Sequence, residues 1–213
     1  ANELVKIKIS YFNNNFIYTN DDLLIGKSNN SNNFDTLLFI GRHVGEVTLP
    51  PYLKFIESHT FQFNKTLHKI DFSNNSILQS IGNYAFCFSY IKQISIPSSV
   101  IKICKYAFYS CENLQKIIIP TNSKLEVIEE YAFYNTKIEE IYFPNNLTDL
   151  KDGWCLKTKY LNKIIVSSSN DRFVVKDNQY LLGKTDPNGD QFDKLLFANR
   201  RIKEISIPLN IKV

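Results

Sequence analysis

Two consecutive stretches of this chain follow the same order of residues, and this repeat limits the possible fold more than any other feature. In residues 100–120 an apolar-x-x-Ile run precedes Tyr106-Ala107-Phe108, and the stretch closes on Leu-x-x-Ile-x-Ile-Pro. Residues 125–144 repeat the order around Tyr131-Ala132-Phe133. A period of this length is typical of stacked repeat proteins, in which each unit buries its apolar residues only against its neighbours.

The closing position of the repeat recurs along the chain, and its spacing alternates between 23 and 24 residues. It is occupied by Pro50, Ser73, Pro97, Pro120, Pro144 and Ser167. Leu114 lies six positions after Phe108, but Ile138 lies five positions after Phe133. We therefore place the one-residue variation in an outer turn that follows the Phe, where it costs little.

The segment before each closing position predicts a short strand. Leu114, Ile117 and Ile119 have apolar equivalents in every copy, and the last two obey the period of a strand with one buried face. The proline that follows ends the pairing, because it has no N–H to donate. Four Phe side chains share one slot and are predicted to stack as a buried spine, beside small residues that let the chain pass closely. They are Phe61, Phe86, Phe108 and Phe133, with Ala85, Ala107 and Ala132.

These motifs resemble the BspA-like leucine-rich repeats. Phe108-x-x-Cys111-x-x-Leu114 and the three tandem Tyr-Ala-Phe copies carry the resemblance, which covers residues 44–167 and 202–208. It implies a right-handed leucine-rich-repeat solenoid, with a parallel β-sheet on the concave face and short helical or 3-10 turns and loops on the convex face. The chain departs from the family at Gly153-Trp154-Cys155, where we expect a distorted coil.

An irregular insert occurs twice, at residues 11–43 and 168–201, and the regular repeats 44–167 lie between the two copies. Residues 4–10 match 161–167, and residues 34–39 match 192–197. We predict that each insert is a β-hairpin, with arms 23–25 and 36–40 in the first, and that it braces the solenoid. Presenting a binding surface is the alternative. Residues 202–213 begin the next repeat, so 1–213 is predicted to be a single elongated solenoid cut from a longer array.

Composition and charge exclude several classes of function. The formal net charge of +4 is small and no basic run occurs, so nucleic-acid binding is not indicated. No apolar run approaches eighteen residues, so we expect no membrane insertion by this piece. The chain has four Cys but no CxxC or His/Cys cluster, which argues against a metal site. We expect four free thiols and no cofactor.

Two features could suggest an enzyme, but neither has the residues that a phosphate-binding or catalytic site requires. Gly26-Lys27-Ser28 and Gly183-Lys184-Thr185 look like the end of a phosphate-binding loop, but Asp21 stands where the first copy needs a glycine. We therefore interpret the motif as the end of a strand. No nucleophile or carboxylate is spaced to pair with any of the three His, so the chain is predicted not to be an enzyme.

The outward strand positions carry the functional prediction. Ile118, Tyr142 and Ile165 fall on consecutive strands and point out of the sheet, beside a charged column that contains Lys116 and Glu140. Neighbouring apolar side chains on an open face suggest a partner site on the concave sheet. The alternative is that they reflect only the β-propensity of these residue types.

We therefore expect a protein-interaction or adhesion module of a cell-surface or secreted protein, which binds a host or matrix protein. A structural spacer without its own ligand is the second hypothesis. Four Asn-x-Ser/Thr sequons are consistent with an extracellular location, and each is predicted on a turn that tolerates a glycan. They are at Asn29, Asn64, Asn74 and Asn146.

Overall fold

The computed structural model describes residues 7–29, 31–199 and 211 and forms a β-solenoid of about six turns. The predicted matches at residues 4–6 and the coil start at 202–210 lie outside the described residues. The strands in chain order are β1 Phe16–Tyr18, β2 Leu23–Lys27, β3 Phe34–Ile40, β4 Glu46–Leu49, β5 Phe55–Ile56, β6 Lys69–Phe72, β7 Ser80–Ile81, β8 Gln93–Ser95, β9 Lys102–Ile103, β10 Lys116–Ile118, β11 Val127–Ile128, β12 Glu140–Phe143, β13 Asp149–Leu150, β14 Lys163–Val166, β15 Phe173–Lys176, β16 Tyr180–Gly183 and β17 Lys194–Ala198.

Each regular coil has three sides. The predicted strands β4, β6, β8, β10, β12 and β14 form the first side, which we call the front sheet. The two-residue strands β5, β7, β9, β11 and β13 form the second side, which we call the side sheet. The Tyr-Ala-Phe turns form the third side, the turn face. The expected helical or 3-10 segments are not found among the described residues, where turns stand in their place.

The front sheet consists of strand pairs, because the links between the two sheets alternate in length. β4 pairs with β6, β8 with β10 and β12 with β14, all in parallel and 23 residues apart, as in Lys116↔Gln93. In the described chain no strand pairing joins β6 to β8 or β10 to β12. The side sheet stays continuous from β5 to β13. The links that lead from the front sheet to the side sheet are shorter at residues 50–54 and 97–101 than at residues 73–79 and 120–126. The variation in repeat length therefore does not lie only in the predicted turn after the spine Phe.

The predicted phenylalanine spine is present in the core. The Phe61, Phe86, Phe108 and Phe133 rings stack nearly parallel, with centroids 4.5, 5.0 and 5.3 Å apart. All four side chains are fully buried. Burying one such ring contributes about 1.5–3 kcal/mol, and its stacking adds roughly 0.5–1.5 kcal/mol. The coils are therefore held to one another through their centre.

Backbone hydrogen bonds join the coils along the turn face as well. The Phe86 N–H donates to the Ala107 carbonyl at 2.7 Å, and the Phe108 N–H donates to Ala132 at 2.8 Å. The Phe133 N–H continues the ladder to Trp154 at 2.7 Å, so Trp154 occupies the slot of the small Ala. The departure at Gly153-Trp154-Cys155 therefore preserves this rung of the backbone ladder. The change is in the side chains, since the Trp154 indole meets Phe133 edge-on at 6.5 Å.

Left-handed residues shape every turn of this face. Tyr84, Tyr106 and Tyr131 have φ between 55° and 59°, and the residue four positions later is also left-handed in each turn. Bulky residues rarely adopt this conformation, at a cost on the order of 1–3 kcal/mol each. The tyrosine rings stack on one another at 4.7 and 5.2 Å, which offsets part of that cost. The column ends on Gly153, where a Cβ would lie 2.7 Å from the Tyr131 ring.

The inserts are three-stranded antiparallel sheets, one strand more than the predicted hairpins. In insert 1, residues 11–43, β1 pairs with β2 and β2 with β3. Its strand β3 then pairs in parallel with β5, at Thr36↔Phe55, and so extends the side sheet. In insert 2, residues 168–201 as far as they are described, β15, β16 and β17 form a separate sheet.

Phe108→Ala tests whether the spine stabilises the middle of the solenoid. We expect the free energy of unfolding to fall by about 3–5 kcal/mol, because the substitution leaves a cavity between two stacked rings. Urea denaturation monitored by circular dichroism would measure the loss. Phe88→Ala is the matched control, since Phe88 stacks on Phe63 at 5.1 Å but is 40% exposed. The control should lose less than about 2 kcal/mol, and an unchanged midpoint for Phe108→Ala would contradict the spine.

Candidate interaction face

A groove crosses the front sheet between two strand pairs, and it contains four of the five predicted partner-binding residues. It is an open depression of about 670 Å³ between β10 and β12. Its lining residues are Gln115, Lys116, Ile117, Ile118, Ile119, Glu139, Glu140, Ile141 and Tyr142. The groove lies where β10 and β12 are adjacent in the stack but not joined by strand pairing.

The predicted apolar side chains are close together on this face. Ile118 is 41% exposed on β10, and Tyr142 is half-buried on β12. Ile165 is also half-buried and lies beside Tyr142 in the β12–β14 register, outside the groove lining. The three residues therefore form a row across β10, β12 and β14, as predicted, and the groove separates the first from the other two.

Charged residues flank the apolar row. The Glu140 carboxylate binds the Lys163 ammonium at 2.6 Å, across the paired strands β12 and β14. Lys69 and Glu46 make a weaker pair at 3.8 Å, across β4 and β6. Lys116 is exposed beside the groove and forms no ion pair with any described residue. Exposed pairs contribute at most about 1 kcal/mol to stability, so these charges add little to the stability of the fold.

The other motifs that the sequence suggested for chemistry have structural roles. The Ser28 N–H and hydroxyl donate to the Asp35 carboxylate at 2.9 and 3.0 Å, and the Lys27 ammonium lies 5.1 Å from the Phe34 ring centre. The backbone N–H of Ser28 therefore faces a carboxylate, which is opposite to the requirement of a phosphate site.

The three histidines lie in separate polar contacts. His43 contacts Asp22, His59 contacts Gln62 and His68 contacts Glu46, at 2.9–3.3 Å. Within residues 7–29 and 31–199 no group of three His, Cys, Asp or Glu side chains could hold a metal ion.

No helix in the described chain is long and apolar enough to cross a membrane.

One predicted glycosylation site conflicts with the structure. Asn64 is fully buried, and its Oδ1 accepts hydrogen bonds from the backbone N–H groups of Thr66 and Leu67 at 3.0 and 2.8 Å. Asn64 lies on a turn, as predicted. Its side-chain carboxamide, however, points into the turn and is buried there, so a glycan has no room. Asn29, Asn74 and Asn146 are exposed.

The sequence analysis missed the aromatic columns that cover the turn face. One column contains His59, Tyr84, Tyr106 and Tyr131, and a second contains Phe63 on Phe88 and Tyr109 on Tyr134. The recurring Tyr two residues before each spine Phe was the available signal. Because the rings stack face to face, their faces are largely occupied by one another, which indicates a structural role.

With the geometry established, comparison with known proteins decides the family. The family model described as BspA type Leucine rich repeat region matches residues 32–162, in six copies. The chain belongs to the BspA-type leucine-rich repeat family. No curated protein sequence matches it. The family supports a protein-interaction or surface repeat module, and its solenoid fold is not typical of enzymes.

Solved structures of bacterial proteins share the fold of this BspA-type chain. The pneumococcal vaccine antigen PcpA superposes with a TM-score of 0.72 at 20% identity, over 88% of this chain and 57% of that chain. A leucine-rich repeat protein of T. pallidum gives 0.60 at 18% identity, over 68% and 69%. A leucine rich cell surface protein of Faecalibacterium prausnitzii gives 0.57 at 16% identity, over 91% and 65%. The chain thus spans little more than half the length of the pneumococcal antigen.

Three cysteines of this BspA-type protein, Cys87, Cys104 and Cys111, are thiols with raised pKa values. Burial raises the pKa of Cys111 to about 12, and its Sγ lies 2.9 Å from the Phe86 carbonyl oxygen. Burial also raises the pKa of Cys87 and that of Cys104 to about 11. All four cysteines are present as thiols, as predicted. Since only the thiolate reacts readily, these groups are protected at neutral pH.

Iodoacetamide labelling at pH 8 tests this protection. With a pKa near 11, about one thiol in a thousand is ionised at pH 8, compared with about a quarter for an ordinary cysteine. We expect the folded chain to label slowly and the chain in guanidinium to take up four equivalents, counted by mass spectrometry. Rapid labelling of Cys111 in the folded protein would contradict the structure, and fewer than four equivalents after denaturation would contradict the four thiols.

Proposed function

We propose that this chain is a protein-binding module of a cell-surface or secreted protein, and that it binds a host or matrix protein through the front sheet. The supporting observation is the groove between β10 and β12, with Ile118 and Tyr142 on its walls and charged residues at its margin. Interfaces commonly combine an apolar centre with a polar rim. The arrangement gives a partner both a surface to bury and charges to pair with.

The residue types suit recognition better than stability. Tyr142 offers an apolar ring and a hydroxyl that can hydrogen-bond to a partner, and tyrosines are enriched among residues that dominate binding energy. Ile118 is 41% exposed, so it gains further burial only when a partner covers it. The unpaired Lys116 ammonium favours a partner with a carboxylate near this end of the groove.

The extracellular location is part of the proposal. Two of the structures that share the fold are named as a vaccine antigen and as a cell surface protein. Three sequons are exposed, at Asn29, Asn74 and Asn146, so the folded chain leaves room for glycans there.

A structural spacer is the second candidate function. It is favoured by insert 1, which joins the side sheet through strand pairing and thereby stiffens the end of the coil stack. In that case Ile118, Tyr142 and Ile165 would reflect only the β-propensity of their residue types. The two functions differ in one measurable respect, since the spacer has no ligand on the front sheet.

Binding to immobilised matrix proteins and to host-cell surfaces tests the proposal, with the double variant Ile118→Thr/Tyr142→Ser. We expect the variant to raise Kd at least about tenfold, because truncating an interface centre commonly costs more than about 1 kcal/mol per residue. Surface plasmon resonance would measure Kd, and the unfolding midpoint should fall less than for Phe108→Ala, since Ile118 is exposed and Tyr142 is only half-buried.

Ile77→Thr/Tyr52→Ser is the matched control. Ile77 and Tyr52 are 46% and 45% exposed, and both lie in links between the sheets and not on the front sheet. The control should bind like the unaltered chain. Equal losses in both variants would argue against the front sheet as the site, and an absence of binding by the unaltered chain to every surface would favour the spacer.

A further inference from the structure

The two inserts share the main features of their internal structure. The Asn13 N–H donates to the Ser10 carbonyl at 2.9 Å, as the Asn170 N–H does to Ser167. The same register pairs β1 with β2 and β15 with β16, as in Phe16↔Gly26 and Phe173↔Gly183. Both inserts also carry a bulge between their second and third strands. Differences between the inserts therefore reflect what each one contacts.

Insert 2 contacts the coil that precedes it through one phenylalanine ring and two side-chain amides, of which the Asn199 Nδ2 donates to the Asn162 carbonyl at 3.0 Å. The Asn170 Nδ2 donates to the Pro144 and Leu147 carbonyls at 2.7 and 2.9 Å, and the residue is 8% exposed. The Phe173 ring packs on Phe143 at 6.0 Å, and Phe143 in turn packs on Trp154 at 5.4 Å. The coil that receives the insert is thus the one in which Gly153-Trp154-Cys155 replaces Tyr-Ala-Phe.

Insert 1 presents the same groups, and none of the described residues forms a coil against them. The Asn13 Oδ1 accepts hydrogen bonds from the Asn15 and Phe16 N–H groups at 2.8 and 3.0 Å. The Asn170 Oδ1 accepts the equivalent bonds from Arg172 and Phe173. Asn13, however, is exposed. Phe16 is 39% exposed, whereas the equivalent Phe173 is 6% exposed.

The same face of insert 1 also carries two aromatic side chains that insert 2 lacks. Tyr11 and Phe12 are 95% and 87% exposed, and Ser168 and Ser169 occupy the equivalent positions of insert 2. The two serines remain exposed beside the coil that precedes insert 2, so Tyr11 and Phe12 lie outside the equivalent contact.

We propose that this face of insert 1, formed by Asn13 and Phe16, is a docking surface for a preceding leucine-rich-repeat coil of the kind formed by residues 140–158. The Asn13 amide donates to two turn carbonyls of that coil, and Phe16 packs on a ring in the slot of Phe143. We choose a coil as the occupant because a coil covers the equivalent face of insert 2. No feature of the front-sheet groove enters this argument.

The insert then acts as a joint with two faces. One face binds the preceding coil through the Asn amide and the Phe ring, as insert 2 does. The other face pairs β3 with β5 of the following coil, where the Lys54 N–H also donates to the Asp35 carbonyl at 2.7 Å. Successive blocks of regular coils would thereby join into one continuous rod.

A two-block protein tests the proposal. In this protein, residues 1–167 of one copy of the chain are joined directly to residues 11–213 of a second copy. Ser167 of the first block then precedes Tyr11 of the second block, as Ser10 precedes Tyr11 in the unaltered chain. The second block's insert then follows a complete 140–167 coil. We expect a single cooperative unfolding transition, and we expect Asn13→Ala in the second block to lower the melting temperature by about as much as Asn170→Ala does.

The same substitution in the first block is the control, and it should leave the melting temperature nearly unchanged. Two separate transitions, or equal effects of Asn13→Ala in both blocks, would overturn the proposal. A second copy of the chain is the competing occupant. Light scattering would reveal it as dimers of the 1–213 chain that Asn13→Ala/Phe16→Ser dissociates, and that result would also overturn the proposal.

Discussion

Stacking between neighbouring coils is the interaction on which the rest of this structure depends. No coil closes a core of its own, so each spine phenylalanine is buried only because the rings of adjacent coils cover its faces. The backbone ladder on the turn face acts in the same direction, since every bond in it runs from one coil to the next. Stability therefore accumulates along the stack, and a coil needs a neighbour on both sides. The ends of a block need either another coil or an insert.

The inserts meet that need with the chemistry of the coils themselves. Insert 1 continues the side sheet through strand pairing, and insert 2 places a phenylalanine on the last aromatic rings of the stack. The altered turn Gly153-Trp154-Cys155 belongs to this junction. Its Trp154 carbonyl accepts the same backbone bond as the Ala carbonyl of a regular coil, while the Trp154 indole supplies the larger apolar surface that the insert packs against through Phe143.

The surface of the front sheet follows from the same stacking. Links of two lengths bring the front strands together in pairs, and the groove at β10 and β12 lies between two pairs. A continuous sheet would have presented Ile118 and Tyr142 as neighbours on a flat surface. The alternation instead creates a depression with apolar walls, which is the kind of surface that a protein partner can fill.

The sequence alone was sufficient to predict the solenoid, the spine, the row of apolar residues and the repeated insert, because these follow from short periods that local spacing encodes. Only the tertiary structure decided four other features: the strand pairs and their groove, the left-handed tyrosines, the third strand of each insert, and the buried Asn64 amide. Each of these depends on how one coil lies against the next. The spacing of residues within a coil specifies which side chains point inward, but the contacts between coils determine which groups are covered and which remain open.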